Sequence, residues 1–361
     1  MATDHIRAHT GMRGIAAVLV VGHHYRHTLV PAVDLDRWTH LFAGAGAFVD
    51  LFFMLSGFVM IATYRDLFAG GVHAGDARDF LIKRIARIYP LHLLTLAVML
   101  ALAAIWATPP TPGDLLENIA MVQAWGMNDV YVLNYPSWSI SAEFWLYLLC
   151  PLLILVVVRR SGALLAVALI AGAYLWLFTR GNGLELDERF SLVRALPAFL
   201  LGLLLYERRA VTLLWPGWLL ATIQLLSVAV IALSLHRAPA DSVVVLCFSL
   251  LILTTWQDRG PVAAALRARP VLWLGLLSYS VYLLHVPARQ AGYVVIGKIG
   301  GTGDPVLDAV IFTAGCTVVT LILAHLCYHR FEMPARRLIS ARARGRMAAH
   351  STRTMGQRPW H

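Results

Sequence analysis

RGIAAVLVVGHHYRH, residues Arg13 to His27, is the segment from which we infer the architecture of the whole chain. It begins with an arginine, continues through mostly apolar residues and ends in a cluster of histidines, which is typical of a first membrane-crossing helix. Arg13 and His24 are eleven residues apart, or about three helical turns, so both side chains face the same way with a rise of about 16 Å between them. Ionisable groups are costly inside a bilayer and are therefore candidate functional residues.

The composition of the chain supports a membrane protein. Of its 361 residues, 59% are hydrophobic and only 14% are charged, whereas a soluble domain is near half apolar and a quarter charged. We therefore predict an all-α polytopic bundle that lies in the lipid bilayer. A net charge of +10 would suggest nucleic acid as the partner of a soluble protein. Here the excess of Lys and Arg in cytoplasmic loops explains the charge, and we expect no nucleic-acid binding.

Apolar segments and positive charges together predict the topology. If the N-terminus is cytoplasmic, 22 of the 30 Lys and Arg residues fall in cytoplasmic segments. We therefore expect an integral protein of the cell (inner or plasma) membrane with both termini in the cytoplasm. Residues 1–335 would form the transmembrane domain, and residues 336–361 a basic tail that is disordered or faces lipid. We expect about ten transmembrane helices, near residues 12–30, 42–63, 88–107, 142–158, 163–179, 191–206, 214–235, 242–256, 271–288 and 306–328.

The histidines at the end of the first segment have two interpretations. A histidine near a helix end can simply reach the membrane interface. Two adjacent histidines with His27 close behind and Arg13 aligned favour a functional role, because imidazole accepts a proton from a hydroxyl near neutral pH. His24 is the candidate base, since it shares a helix face with Arg13, and His23 is turned away by about 100°.

FVDLFFMLSGFVM, from Phe48 to Met60, holds the second feature. Asp50 lies in an apolar helix, where an unpaired carboxylate is expensive, so it needs a partner; a histidine of the first helix is one candidate. A structural ion pair is the alternative. The small residues Ser56 and Gly57 would let another backbone or a ligand chain approach closely.

KRIARIYP, which ends the longest predicted inner loop, places Arg84 and Arg87 three residues apart on one helix face. Guanidinium groups suit phosphate, so a nucleotide-like ligand could be held here. The alternative is an ordinary positive flank of a membrane helix.

PSWSISAEFW, from Pro136 to Trp145, enters the next predicted helix from the outside. Ser141 could cap this helix, and Glu143 would favour its N-terminus. The functional alternative is a polar platform in which Trp138 and Ser141 bind a sugar-like acceptor and Glu143 orients it.

LGLLSYSVYLLHVP, from Leu274 to Pro287, is the ninth segment. Ser278, Tyr282 and His285 fall on one stripe, which could line a cavity or join two helices. FEMP, from Phe331 to Pro334, indicates the end of the last helix. None of the histidine spacings forms a convincing metal site, and we expect no metal.

Together these motifs resemble the acyltransferase-3 family of integral membrane O-acyltransferases, over about residues 10–335. The resemblance is carried by Arg13 with ten residues before His24, and by FVDLFFMLSGF, RIARIYP, WSISAEFW, SYSVYLLHVP and FEMP. It implies ten transmembrane helices and the transfer of acyl groups, often acetyl from acetyl-CoA, to hydroxyls of surface polysaccharides, lipid-linked sugars or antibiotics. It also implies that His24 is the catalytic histidine with Arg13 as its companion, and that Arg84 and Arg87 are the paired arginines of the family.

We therefore expect an O-acyltransferase that moves an acyl group from acyl-CoA to a hydroxyl of a carbohydrate or glycoside acceptor. His24 would be the general base or would carry the acyl group itself. The expected catalytic set is His24, Arg13, Asp50 and Glu143; the CoA-binding set is Arg84, Arg87 and Arg13; and the acceptor-binding set is Trp138, Ser141, Tyr282 and His285. The alternative is a transporter or flippase in which buried His, Asp and Arg relay protons or hold an anion.

Overall fold

The computed structural model describes residues 6–127, 132–179, 191–237 and 241–341. Within these ranges the chain forms α-helices joined by turns and contains no strand, which confirms the all-α prediction. The helices are α1 (Arg7–Tyr25), α2 (Phe48–Phe68), α3 (Ala74–Ile105), α4 (Pro112–Ala120), α5 (Trp138–Val157), α6 (Arg160–Thr179), α7 (Ser191–Arg208), α8 (Gly217–Arg237), α9 (Asp241–Thr255), α10 (Pro261–Leu266), α11 (Arg269–Ile299) and α12 (Pro305–Cys327).

Each of the ten apolar segments lies on one of these helices, with α4 and α10 as short additions. In the part of the chain that the structure describes, seven helical stretches are long and apolar enough to cross a membrane: those built on α2, α3, α5, α6, α8, α11 and α12. Of the other three, α1 and α7 carry charged residues and α9 has 15 residues. The number of crossings and the side of the termini remain predictions.

The outward faces of the bundle are apolar. Leu164 and Leu175 on α6 are each 66% exposed, and Ile322 on α12 is 54% exposed. Soluble monomers rarely expose continuous apolar surface on this scale. A surface of this kind is suited to contact with lipid.

Glycines let two helix pairs approach to backbone contact. On α1, a side chain at Gly14 would overlap the backbone of α11 at Gly275. Side chains at Gly57 on α2 and at Gly202 on α7 would each overlap the backbone of the facing helix. Small residues commonly permit such contacts between membrane helices. The expected close approach at Gly57 is confirmed, and its partner is a helix.

Two predicted helix starts are wrong. Helix α5 begins at Trp138, so Ser141 is its fourth residue and does not cap it. The residue before the helix, Ser137, makes no side-chain cap either. Helix α3 begins at Ala74, so KRIARIYP is inside a helix and not at the end of a loop. Between α3 and α5 lies the short helix α4, which Thr111 and Asp114 start with a reciprocal capping box.

FEMP does not end the last helix. After α12, the residues Tyr328–Glu332 form a π-helical turn, and residues 333–341 continue as helix. Pro334 lacks an N–H and normally breaks a helix, but the π turn just before it changes the hydrogen-bonding register. The first six residues of the predicted tail, 336–341, are therefore helical, and the remainder lies outside the described residues.

Candidate active site

A cavity of about 790 Å³ lies between α1, α2, α3, α5, α11 and the helical extension 333–341. Its volume falls within the range of about 300–1,000 Å³ that is usual for small-molecule sites. Helices α1 and α11 run in the same direction along one side of this region, since Gly14 contacts Gly275 near one end and Tyr25 bonds the carbonyl of His285 near the other. Positions along these two helices therefore give a common direction along the cavity, from Gly14 and Gly275 toward Tyr25 and His285.

One end of the cavity, which we call the cation end, is strongly positive. Among the described residues that line the cavity, the two carboxylates are Asp79 and Glu143. Six cations line it: Arg7, Arg13, Lys83, Arg84, Arg87 and Arg336. The three arginines predicted to bind CoA are thus brought together, and the excess of positive charge creates a site for an anionic ligand.

Arg87 is held by a buried carboxylate that the sequence did not reveal. Its guanidinium forms an ion pair with Glu332 of the π turn, which is 2% exposed. Ser280 on α11 donates to the other carboxylate oxygen at 2.7 Å. The carbon atom at the centre of the Arg87 guanidinium lies 4.9 Å from the ring centroid of Tyr279. Arg87 is therefore fixed in place while still lining the cavity.

Arg84 is held mainly by aromatic rings. Its guanidinium lies 5.6–5.8 Å from the rings of Tyr64, Phe80 and Tyr147 and donates to the Tyr64 hydroxyl at 3.3 Å. Cation–π contacts of this kind orient a guanidinium without neutralising its charge. Arg84 makes no ion pair with a carboxylate within the described residues, so its charge is available to a ligand.

Glu143 lies further along the cavity wall in a compact polar cluster. One of its carboxylate oxygens accepts from Ser56 of α2 and from Tyr147, each at 2.6 Å, and the two hydroxyls are 2.8 Å apart. All three residues line the cavity. The cluster provides hydrogen-bonding groups midway along an otherwise largely apolar wall.

Tyr282 and Ser139 line the end of the cavity that lies furthest along α11 from Arg87 and Tyr279. Their hydroxyls are 2.7 Å apart, and the Tyr282 hydroxyl also donates to the carbonyl of Pro136. Ser278 lines the cavity as well, whereas His285 lies just beyond it on the same stripe. Of the two alternatives for this stripe, Ser278 and Tyr282 fit the cavity and His285 fits helix contact.

His24, the histidine predicted to act as a base, lies beyond the end of the cavity that Tyr282 and Ser139 line. The ring of His24 stacks on that of His285 at 5.1 Å and contacts the rings of Tyr135 and His23 edge-on, each at 4.9 Å. Arg289 donates to the His24 carbonyl at 2.9 Å. Within the described residues, the imidazole of His24 makes no hydrogen bond and does not line the cavity. It is half-buried and open to a further partner.

His285 connects this cluster to the cavity. It is fully buried, and its Nδ1 donates to the carbonyl of Tyr282 at 2.6 Å. Its Nε2 is buried without a hydrogen-bond partner among the described residues. The ring of Tyr282 lies 6.0 Å from that of His285. One aromatic residue thus separates the end of the cavity from the two stacked imidazoles.

Asp50 is paired with an arginine and not with the histidine we considered. Arg194 of α7 donates to one Asp50 oxygen from two nitrogens, at 2.6 and 3.0 Å, and also to the carbonyl of Gly46. Asp50 is completely buried. The ring centroid of Trp138 lies 5.4 Å from the central carbon of the Arg194 guanidinium. The structural ion pair, which was the alternative interpretation of Asp50, is therefore the one observed.

Ser141 lies away from the cavity. It is fully buried and donates to the carbonyl of Met121 at 2.6 Å, while accepting from the backbone N–H of Ala124. Trp145 donates to the same Met121 carbonyl at 2.7 Å. These bonds fasten the segment before α5 to that helix.

Similarity to known proteins identifies the family of this chain. The family model described as an acyltransferase domain matches residues 7–329. The chain belongs to the acyltransferase-3 family. Membership makes it a membrane O-acyltransferase and favours the enzyme over the transporter alternative.

Individual relatives of this acyltransferase are distant. Acyltransferase MdmB of Streptomyces mycarofaciens is 26% identical over 365 residues, with 92% of each chain covered. The putative peptidoglycan O-acetyltransferase YrhL of Bacillus subtilis (strain 168) is 24% identical over 90% of this chain, which spans 54% of YrhL. Nodulation protein 10 of Rhizobium leguminosarum bv. viciae is 26% identical, with 82% of this chain and 83% of the relative covered. No solved structure matches this acyltransferase.

Three charged residues in or beside the candidate site were not recognised from the sequence. Glu332 was visible in FEMP but was interpreted as part of a stop signal. Arg194 lies in the predicted segment 191–206 but was given no role, and Arg336 was assigned only to the basic tail. For Arg194, a charged residue inside an apolar segment was the signal available.

Proposed function

We propose that this acyltransferase moves a short acyl group, in the first instance acetyl, from acyl-CoA to a hydroxyl of a glycan, lipid-linked sugar or glycosylated small molecule. The observation that carries the proposal is the charge distribution of the cavity, with six cations and two carboxylates among its described lining residues. CoA has its phosphates at one end and its thiol at the end of a long, flexible arm. A cavity with cations at one end suits such a donor.

Arg13, Arg84 and Arg87 are the proposed contacts for the donor's diphosphate. Arg84 makes no ion pair with a carboxylate within the described residues, and Arg87 has a fixed orientation because Glu332 and Tyr279 hold it. Guanidinium groups of fixed orientation bind phosphate oxygens with good geometry. The pantetheine arm would then extend past Glu143 toward Tyr282, which brings the thioester close to the stacked imidazoles.

His24 is the proposed general base. Its imidazole nitrogen would take the proton of the acceptor hydroxyl as the hydroxyl oxygen forms a bond to the thioester carbonyl carbon. Collapse of the tetrahedral intermediate would break the carbon–sulfur bond and release CoA thiolate, which takes the proton from the imidazolium. Two observations support His24. Its ring makes no hydrogen bond within the described residues, and it packs against the rings of Tyr135 and His285 just beyond the cavity.

The acceptor is proposed to be a carbohydrate hydroxyl. YrhL, a relative that matches most of this chain, is named as a putative peptidoglycan O-acetyltransferase. We propose that the acceptor approaches His24 from the side opposite the cation end, near Tyr135. Trp138, Tyr282 and His285 remain candidate acceptor residues, whereas Ser141 does not, because its hydroxyl holds Met121 and Ala124.

The location follows from the same proposal. Acyl-CoA is available in the cytoplasm, so the cation end would lie on the cytoplasmic side of the cell membrane. Both chain termini would lie on the same side, as the distribution of Lys and Arg predicts. The rings of His24, His285 and Tyr135 would then be reached from the outer side of the membrane.

The experiment that tests this function compares the surface glycans of cells with and without the protein by mass spectrometry. Purified protein is assayed in parallel for acetyl-CoA turnover. We expect one class of glycan to lose its O-acetyl groups when the protein is absent, and turnover that depends on the protein. Unchanged glycan and glycoside acetylation together with no acetyl-CoA turnover would contradict the proposal.

A further inference from the structure

We propose that Arg336, on the helical extension that follows the π turn, binds a phosphate monoester at the mouth of the cavity, namely the 3′-phosphate of CoA. The inference rests on the donor proposed above. It goes beyond that proposal by assigning a separate phosphate subsite to a part of the chain whose sequence resembles a disordered tail.

The helical extension forms one wall of the cation end. Arg336 and Ser340 both line the cavity. They are four residues apart on a continuous helix, so their side chains lie on the same face. Glu332 begins the same face one turn earlier and forms the buried ion pair with Arg87. The extension is therefore anchored to α3 directly beside the proposed donor site.

The charges around Arg336 favour an anion. Arg336 is half-buried and makes no ion pair with a carboxylate within the described residues. Arg84, which lines the same cavity, is also positive. Two cations that share a partly buried site without a counter-ion repel each other. A bound phosphate would relieve this repulsion and accept hydrogen bonds from Arg336 and from the Ser340 hydroxyl.

The position along the helix indicates which phosphate it binds. Arg336 is four residues beyond Glu332, which corresponds to a rise of about 6 Å along the helix. This rise takes it away from the contact with Arg87 and from the end of the cavity that Tyr282 lines. A donor with its thioester directed toward Tyr282 has its diphosphate closer to the arm and its ribose 3′-phosphate further out. Arg13, Arg84 and Arg87 would therefore meet the diphosphate, and Arg336 the 3′-phosphate.

The experiment measures equilibrium binding of acetyl-CoA and of acetyl-dephospho-CoA, which lacks only the 3′-phosphate, to the purified full-length protein. Arg336→Gln is compared with Arg337→Gln, because Arg337 is the adjacent arginine, is exposed and does not line the cavity. The wild type should prefer acetyl-CoA by about ten- to a hundredfold, the scale of a hydrogen bond to a charged group. Arg336→Gln should lose this preference by binding acetyl-CoA more weakly, with dephospho-CoA binding unchanged. Arg337→Gln should retain the preference.

The possible results separate this inference from the proposed donor. Equal wild-type affinity for the two ligands, or an intact preference in Arg336→Gln, would overturn the phosphate subsite and leave the donor intact. An equal loss for both ligands in Arg336→Gln would also overturn it. If the wild type binds neither ligand, the donor itself is wrong. Arg336→Lys, which retains the charge, guards against misfolding and should keep part of the preference.

Discussion

Among individual residues, His23 and His24 differ in what their imidazoles contact. The Nδ1 of His23 donates to the carbonyl of Phe42 at 2.9 Å, so this ring is committed to the segment before α2. The ring of His24 packs against aromatic groups and makes no hydrogen bond within the described residues. The ring of His23 is therefore fixed by a backbone contact, whereas the ring of His24 is held only by packing against other rings.

From this difference we predict unequal effects of two matched substitutions. His24→Ala should lower acyl transfer by about 10²–10⁴-fold, the usual contribution of a positioned base. His23→Ala should lower it much less, because its ring contacts backbone. The measurement is transfer of radiolabelled acetyl by purified protein, with thermal stability recorded for both variants. Near-wild-type turnover in a folded His24→Ala variant would exclude His24 as the base, and complete loss in His23→Ala alone would move the base by one residue.

Asp50 and Arg194 form a pair whose main expected role is stability. Asp50 is fully buried, and Arg194 bonds both its carboxylate and the carbonyl of Gly46. Removing one member of a buried ion pair leaves an uncompensated charge and costs about 3–5 kcal/mol.

We therefore predict that Asp50→Ala and Arg194→Met each lower the thermal unfolding temperature markedly. The double variant should lose less than the sum of the two single losses, because no unpaired charge remains. Thermal unfolding of the purified protein in detergent measures all three. Strictly additive losses would show that the two side chains do not depend on each other.

At the level of helices, α3 and the π turn that follows α12 are joined by Arg87 and Glu332. The carboxylate of Glu332 is buried and also accepts from Ser280 of α11. Arg84, one turn earlier on α3, makes no ion pair within the described residues. The two arginines should therefore respond differently to substitution even if both bind donor.

Arg84→Ala should weaken acetyl-CoA binding by about 1–3 kcal/mol with little loss of stability, the scale of a charged hydrogen bond. Arg87→Ala should weaken binding and also destabilise the protein, because Glu332 is then left buried and unpaired. Adding Glu332→Gln to Arg87→Ala should restore stability without restoring binding. Binding isotherms and thermal unfolding of the three variants test this. Restored binding in the double variant would mean that Arg87 serves only to neutralise Glu332.

The sequence predicted the helices well because their signal is local. Apolar runs identify the ten segments, and helical periodicity places Arg13 and His24 on one face of α1. Local reasoning failed where a partner is distant in the chain: Asp50 and Arg194 are 144 residues apart. It also failed at Pro334, where a breaking residue follows a π turn that lets the helix continue.

In the whole molecule, the order of the groups in space could not be predicted from the sequence. The motifs around Arg87, Glu143 and Tyr282 come from three helices, and only their packing shows that all three line one cavity. The same packing shows that His24 lies beyond that cavity. Neither result follows from periodicity, because periodicity gives the face of a helix but not its neighbour.

The central claim is that the donor enters at the cation end and the acceptor is acylated near His24 from the opposite side. It is tested most directly with sealed membrane vesicles of both orientations that hold the cells' own envelope glycans. Radiolabelled acetyl-CoA is added outside, and labelled glycan is measured. We predict labelled product in inside-out vesicles, whose cytoplasmic face is accessible, and none in right-side-out vesicles. Labelling only in the right-side-out preparation would contradict the account.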